Sequence, residues 1–519
     1  MDVLSALLIE LIVIAVLFEV AQRAGLPYPA LFVIGGAALG FVPGLPHITL
    51  QPDLVLLVFL PPLLFGAAFE TPLRDLRSNL WPIGRLSIGL VIVTTAAVAA
   101  VAHAMVPSLG WPAAFTLGAI VAPTDALAAT TVFRRLGVPR VILSIIEGEA
   151  LFNDATALIA YRAAVAAVLS GSFVLANAVG GFLVAAIGGI AIGYVVGWVM
   201  GRILRWLDDP PVEVVISLLI PFAAYLPAEQ LNVSGVLAVV TAGLVIGRRL
   251  GTILSPNSRV LWFTTWKMVG FVLNGFVFVL VGLALPDVLR GLGDRSPLHV
   301  AGLAVVVCVV AVVTRFLWVM LASLLPGSPR RVIARGDRGL SWRLTALVSW
   351  TGLRGAVSLA AALALPATFP ERNLILLLTF AVILATLVGQ GLTLPLVLRW
   401  VRWDGVEADG DEADQARATM YQVGLDAIEH MRPNWPTHKP LLDRLESGLR
   451  DRERHLATDD PDETAERTQE HAEHEDIQLR VINAQRGAVI ELRDAGEIND
   501  ATLRVIEREL DLEELRMEA

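Results

Sequence analysis

Nine consecutive residues, Glu147-Gly148-Glu149-Ala150-Leu151-Phe152-Asn153-Asp154-Ala155, put three carboxylates and a carboxamide into an otherwise apolar stretch. A charge at the centre of a bilayer costs about 2.5–3.5 kcal/mol, so the acids found there usually serve ion passage or pair internally. Asp154 has apolar neighbours on both sides. A proton relieves the cost of its charge, and so does a bare sodium ion held by oxygen ligands. One carboxylate that takes either ion, but not both, couples their movements. The bland alternative is an Asp154 locked to a neighbouring arginine.

Two further stretches carry chemistry. Val121-Ala122-Pro123-Thr124-Asp125 lies mid-run, where proline removes a backbone hydrogen bond and disfavours helix at the residue before it. Thr351-Gly352-Leu353-Arg354-Gly355 brackets a charge with glycines and reads as a second break. Broken helix ends expose N–H and C=O groups. Asp125 there is either an ion ligand or a compensator of a half-helix dipole, and Thr124 offers a hydroxyl or carbonyl oxygen. Glu149 falls five residues before Asp154, about 500° around a helix and off its face. We expect it to form an internal salt bridge with Arg354. Arg162 and Arg315 are expected to pair with other buried acids, and Lys267 to snorkel. Glu10, Glu19 and Glu70 are weaker ion-site candidates.

These residues need a membrane scaffold. The 519-residue chain is 55% apolar and only 17% charged, against about 25% in soluble proteins. By hydropathy, about thirteen runs are candidate spans: 3–22, 28–45, 53–70, 84–106, 112–133, 141–169, 173–201, 211–228, 232–247, 260–286, 298–325, 344–366 and 373–398. The eighth and ninth are short and compatible with one re-entrant pair. Connections on one side of this arrangement hold 19 arginines and those on the other hold 3. The positive-inside rule then puts the N-terminus outside and the C-terminal tail in the cytoplasm. The first run lacks a basic region before it and reads as a retained helix. Runs 1–6 and 8–13 can form inverted six-helix repeats, and the two breaks then fall in runs 5 and 12, at corresponding positions. The fold expected is an all-α membrane protein, with a transporter domain over 1–402 and a mainly helical acidic tail over 403–519. The formal charge of −9 divides as +8 on the first and −17 on the second.

The tail opens on an acidic stretch, Asp404 to Asp414, expected as a linker. Leu442, Leu445 and Leu449 follow at helical spacing. Residues 459–476 read as loop or exposed helix, and His471 and His474 are the only candidates there for sensing pH. In the body, His103 alone is a candidate deep histidine, so a proton relay would run through carboxylates and water. A Walker A loop, zinc-ligand spacing and a nucleophile elbow are all missing from the sequence. ATP-driven transport and an enzyme are therefore not expected, nor are a cofactor or a nucleic-acid partner. The single cysteine, Cys308, precludes an intrachain disulfide.

The sequence resembles the bacterial sodium/proton exchangers of the monovalent cation/proton antiporter superfamily. The resemblance rests on Leu60-Pro61-Pro62-Leu63-Leu64-Phe65, Ala122-Pro123-Thr124-Asp125, Glu147 to Asp154 with its Asn-Asp pair, Asn274, and Trp350-Thr351-Gly352-Leu353-Arg354-Gly355-Ala356-Val357-Ser358. Gln485 to Arg516 looks like the end of bacterial members. The resemblance implies a homodimer in the inner membrane, with a core domain and a dimerisation domain. It implies elevator-like alternating access and a role in pH homeostasis. It implies an ion site for Na⁺ or K⁺ at Asp154, Asn153, Asp125 and Thr124, a structural bridge between Glu149 and Arg354, and electroneutral exchange. Two positions depart from the family pattern. Gly66 stands where members often carry a carboxylate, and Ala150 where many carry serine. The expected function is antiport of a monovalent cation, Na⁺ first, against H⁺. The alternatives are K⁺/H⁺ antiport and transport of an organic solute on the same scaffold.

Overall fold

In lipid every backbone polar group must be satisfied within the chain, so apolar runs of this length fold as helices. The computed structural model describes residues 3–517 apart from 25–26, 43–54, 127–128, 131–132, 134–137, 139, 173, 292–295, 326–337, 367, 402–407, 457–460, 496 and 498–499. Its described residues are helical or irregular, with no strand among them. The chain divides into two compact units, Met1–Val406 and Glu407–Ala519.

The first unit contains α1 (Val3–Ala24), α2 (Tyr28–Gly40), α3 (Leu60–Glu70), α4 (Leu73–Ser78), α5 (Leu80–Met105), α6 (Trp111–Val121) and α7 (Arg140–Ser170). It continues through α8 (Leu175–Leu204), α9 (Pro210–Gln230), α10 (Gly235–Gly247), α11 (Pro256–Leu283), α12 (Pro297–Leu324), α13 (Arg338–Trp350), α14 (Ala356–Leu363) and α15 (Arg372–Trp400). Among the described residues, 7 helices are long and apolar enough to cross a membrane. Shorter apolar helices, α2, α6, α10 and the one ending at Glu70, stand beside them. The eighth and ninth runs are separate helices, α9 and α10. A tight turn with Asn232 at φ 54° joins them, and the Ser234 hydroxyl caps the second by accepting from the Leu237 amide at 3.2 Å.

Lipid tails give no hydrophobic drive between helices, so close backbone approach at small residues does the packing. A Cβ on Gly193 of α8 would lie 2.1 Å from the Ala238 carbonyl of α10, and one on Gly118 of α6 would lie 2.3 Å from the Thr95 carbonyl of α5. The Phe65, Phe69 and Trp266 rings, from α3 and α11, meet in tilted and edge-to-face contacts at centroid separations of 5.0–5.8 Å. These contacts make α3, α8, α9, α10 and α11 one packed body. A second apolar core joins α2, α5, α6, α11, α12 and α15. Between them runs α7, the helix that carries the acidic cluster.

The second unit contains α16 (Ala408–Met431), α17 (Lys439–Leu456), α18 (Pro461–Asp494) and α19 (Asp500–Met517). Helix α16 begins inside the stretch expected as a linker, and α18 covers most of the polar stretch left open as loop or helix. Each pair of helices is pinned by one arginine. Arg432 bonds Asp443 at 2.6 Å and also Glu446. Arg486 bonds Asp511 at 2.8 Å and Glu514 at 2.7 Å. The side chains of His471 and His474 lie outside the described residues.

Candidate functional site

The two irregular segments meet. Helix α6 ends at Val121 and the chain leaves helix over Ala122–Ala126. Helix α13 ends at Trp350, and residues 351–355 are irregular before α14 starts at Ala356. The Asp125 amide donates to the Leu353 carbonyl at 2.7 Å, which ties one break to the other.

Arg354 lies in the second break with 1% of its surface exposed. Its Nε donates to the Val121 carbonyl at 3.0 Å, and its Nη1 donates to the Gly352 carbonyl. Its own amide donates to Thr386 Oγ1 of α15 at 3.1 Å. A broken helix leaves its last carbonyls without partners, and this guanidinium supplies them at both breaks. A Cβ on Gly355 would lie 2.4 Å from Asp125 Oδ2. Only glycine lets that carboxylate rest against the start of α14, where the helix dipole favours negative charge.

The salt bridge expected between Glu149 and Arg354 is not formed. Glu149 pairs with Arg315 of α12, Nη1 to Oε1 at 2.5 Å and Nη2 to Oε2 at 3.0 Å. Both side chains are at most 2% exposed. Arg315 Nη2 also reaches the Val348 carbonyl at 3.2 Å and Thr351 Oγ1 at 3.3 Å. The forked guanidinium matches the carboxylate with two parallel bonds, whereas Arg354 is drawn to carbonyls that no helix satisfies. The small Gly352 admits both arginines, since a Cβ there would lie 2.4 Å from Arg315 Cδ and 2.8 Å from Arg354 Nη1.

Glu149 and Asn153 are four residues apart on α7 and therefore share a face. Both reach Thr124. The Thr124 hydroxyl donates to Glu149 Oε1 at 2.9 Å and accepts from Asn153 Nδ2 at 2.8 Å. Asn153 Nδ2 also donates to the Thr124 carbonyl at 3.0 Å. A carbonyl only accepts, so the amide nitrogen must face it. That leaves Asn153 Oδ1 buried and without a hydrogen-bond partner. Asp154, one residue on, is half-buried and makes no hydrogen bond or ion pair among the described residues. Asp125 is the charge that acts on it. The arginine lock considered for Asp154 is thus not present among the described residues. Its two oxygens and Asn153 Oδ1 are acceptors left over for a cation or proton. The Thr124 hydroxyl has given its proton to Glu149, and its hydroxyl and carbonyl oxygens each accept from Asn153 Nδ2, so the carbonyl keeps one lone pair for a further ligand.

The other candidates stand apart from this cluster. Arg162 binds Glu229 of α9 at 2.7 and 2.8 Å beside a cavity of 430 Å³. Asn274 donates to the Gly270 carbonyl of its own helix at 2.8 Å. Lys267 is exposed, and Glu19 pairs with Arg23 at 2.8 Å at the exposed end of α1. His103 bonds the Leu109 carbonyl at 2.8 Å near the end of α5. Glu10 is buried on α1 and neither of its oxygens has a partner. Gly66 has room beside it, since a Cβ there would lie 3.6 Å from the Trp266 ring. Arg315 has no definite partner at the level of sequence. Its signal there is a single charge in the middle of a 28-residue apolar helix.

Residues 9–400 match the family of transmembrane sodium/hydrogen exchangers. An uncharacterised Na⁺/H⁺ exchanger of Mycobacterium tuberculosis is 35% identical over 503 residues, covering 94% of this chain and 91% of its own. A sodium, potassium, lithium and rubidium/H⁺ antiporter of Bacillus subtilis is 33% identical over 419 residues, covering 76% of this chain and 62% of its own. In fold, the sodium proton antiporter MjNhaP1 of Methanocaldococcus jannaschii superposes with a TM-score of 0.58 at 20% identity, covering 75% of this chain and all of that one. The match runs through both helix breaks and the Glu149–Asp154 cluster, and this multi-pass membrane chain belongs to the sodium/hydrogen exchanger family.

Proposed function

We propose that the chain is a secondary active antiporter that exchanges a monovalent cation, Na⁺ foremost, for H⁺ by competition at Asp154. The observation that carries this reading is the half-buried Asp154 carboxylate, without a hydrogen bond or ion pair among the described residues, beside the crossing of two helix breaks. Asn153 Oδ1 and the Thr124 carbonyl would complete an oxygen site with it, and Asp125 would hold the break and add negative potential. Glu149 and Arg315 fix Thr124 and are structural.

One carboxylate that takes one proton or one monovalent cation is neutral in either loaded state. The loaded carrier then crosses the low-dielectric barrier at little cost, while the empty, charged one does not. That asymmetry enforces coupled, electroneutral exchange. The supporting scaffold is thirteen spans in inverted repeats, with the breaks in runs 5 and 12. Alternating access is of the elevator type, in a homodimer of the plasma (inner) membrane. The N-terminus lies outside, and residues 403–519 form a cytoplasmic tail.

A second reading, K⁺/H⁺ exchange, draws on Gly66 and Ala150, which supply neither charge nor hydroxyl. Fewer fixed ligands discriminate less by size, and the Bacillus relative is named for four alkali cations. The test uses proteoliposomes with an internal pH dye and an imposed pH gradient. Sodium is expected to dissipate the gradient in wild type and to leave it intact in Asp154→Asn. Dissipation by potassium alone would change the ion, and an active Asp154→Asn would remove Asp154 from the mechanism.

A further inference from the structure

A cavity of about 810 Å³, separate from the ion site, lies where α3 and α10 end and α11 begins. Arg74, Arg77, Arg248 and Arg259 line it, against one acid, Glu70. Arg259 is committed, since its Nη1 donates to the Gly251 and Leu254 carbonyls, each at 3.1 Å. Glu70 has an interaction of its own. Arg74, Arg77 and Arg248 make no hydrogen bond or ion pair among the described residues, and all three are exposed.

Arginines at a membrane boundary are ordinary. Here they come from two distant stretches of chain, 74–77 and 248–259, and converge on one concavity. The floor beneath them is apolar and closely packed. A Cβ on Gly247 would lie 2.3 Å from the Phe69 carbonyl, so α3 and α10 touch through their backbones. Phe69 meets Trp262 edge to face at a centroid separation of 5.9 Å and Phe263 at a tilt at 5.8 Å. Phe263, which lines the cavity, is 44% exposed, and Val260, three residues before it on α11, is 70% exposed.

We infer that this cavity binds the phosphate headgroup of an anionic phospholipid, with the acyl chain along Phe263 and Val260. Free guanidinium donors match phosphate oxygens in paired bonds, and basic pockets between membrane helices hold such headgroups. A free phosphate ion shares the headgroup chemistry. The lipid is favoured because the exposed donors converge where the apolar helices α3 and α10 end and α11 begins, next to uncovered apolar side chains. A bound lipid would clamp α3, α10 and α11 together, away from Asp154.

The test is thermal unfolding of the purified full-length protein in detergent, titrated with phosphatidylglycerol, phosphatidylcholine or inorganic phosphate. Phosphatidylglycerol is expected to raise the midpoint and phosphatidylcholine is not. At about fivefold per arginine, Arg74→Gln/Arg77→Gln/Arg248→Gln should need on the order of a hundredfold more phosphatidylglycerol. Should the triple variant fail to fold, Arg248→Gln alone should show the roughly fivefold step. Phe263→Ser should weaken the lipid effect and leave any phosphate effect unchanged. Equal stabilisation by both lipids, or unaltered affinity in the arginine variants, would overturn the site. Stabilisation by inorganic phosphate as strong as by the lipid, unaffected by Phe263→Ser, would overturn the lipid assignment.

Discussion

Replacing Arg315 by glutamine leaves the Glu149 carboxylate in a site where it is 2% exposed. It loses two charged donors, at 2.5 and 3.0 Å, and keeps the Thr124 hydroxyl at 2.9 Å. Removing one partner of a buried pair costs about 3–5 kcal/mol, because an unpaired charge remains buried. Replacing both, as Glu149→Gln with Arg315→Gln, leaves no unpaired charge. The expected cost is then well below the sum of the singles, with a coupling of about 3 kcal/mol. The same cycle between Glu149 and Arg354 should give less than half of that, since Arg354 donates to carbonyls of Val121 and Gly352. The assay is denaturation of each variant in detergent, followed by tryptophan fluorescence and by loss of the monodisperse chromatographic peak. A Glu149–Arg315 coupling under about 1 kcal/mol, or a larger one for Glu149–Arg354, would refute the pairing of Glu149 with Arg315.

Asn153→Ala removes both donations to Thr124 and the open Oδ1. It should raise the cation concentration for half-maximal exchange by about tenfold, for two or so hydrogen bonds, measured as gradient dissipation across a sodium titration. Gly355→Ala places a Cβ 2.4 Å from Asp125 Oδ2. Exchange should fall sharply, while Gly270→Ala, in open space, should match wild type. Gly193→Leu should destabilise the α8–α10 contact, where even a Cβ would meet the Ala238 carbonyl at 2.1 Å; a lower unfolding midpoint by several degrees checks it. Arg162→Gln breaks a half-exposed pair with Glu229 and should cost no more than about 1 kcal/mol, read from the same denaturation curves.

Much of this molecule is legible in one dimension. Hydropathy alone marks the apolar helices, because the bilayer forbids any other way of satisfying the backbone. Pro123 and the glycines at 352 and 355 mark the places where helix fails, because their backbone chemistry is local. The same local logic singles out Glu149, Asp154, Arg315 and Arg354, since each is an expensive charge in an apolar run. The sequence has no means of assigning partners among them. Glu149 lies 166 residues from Arg315 and still farther along the chain from Arg354, and neither separation carries a preference. The choice was made by which helix crosses α7 at that height, and by orphan carbonyls at Val121 and Gly352 that claimed Arg354. Likewise the chain offers Thr124 as a hydroxyl, and only the packed structure spends that hydroxyl on Glu149 and Asn153. Among the described residues, no packed neighbour brings Asp154 a donor.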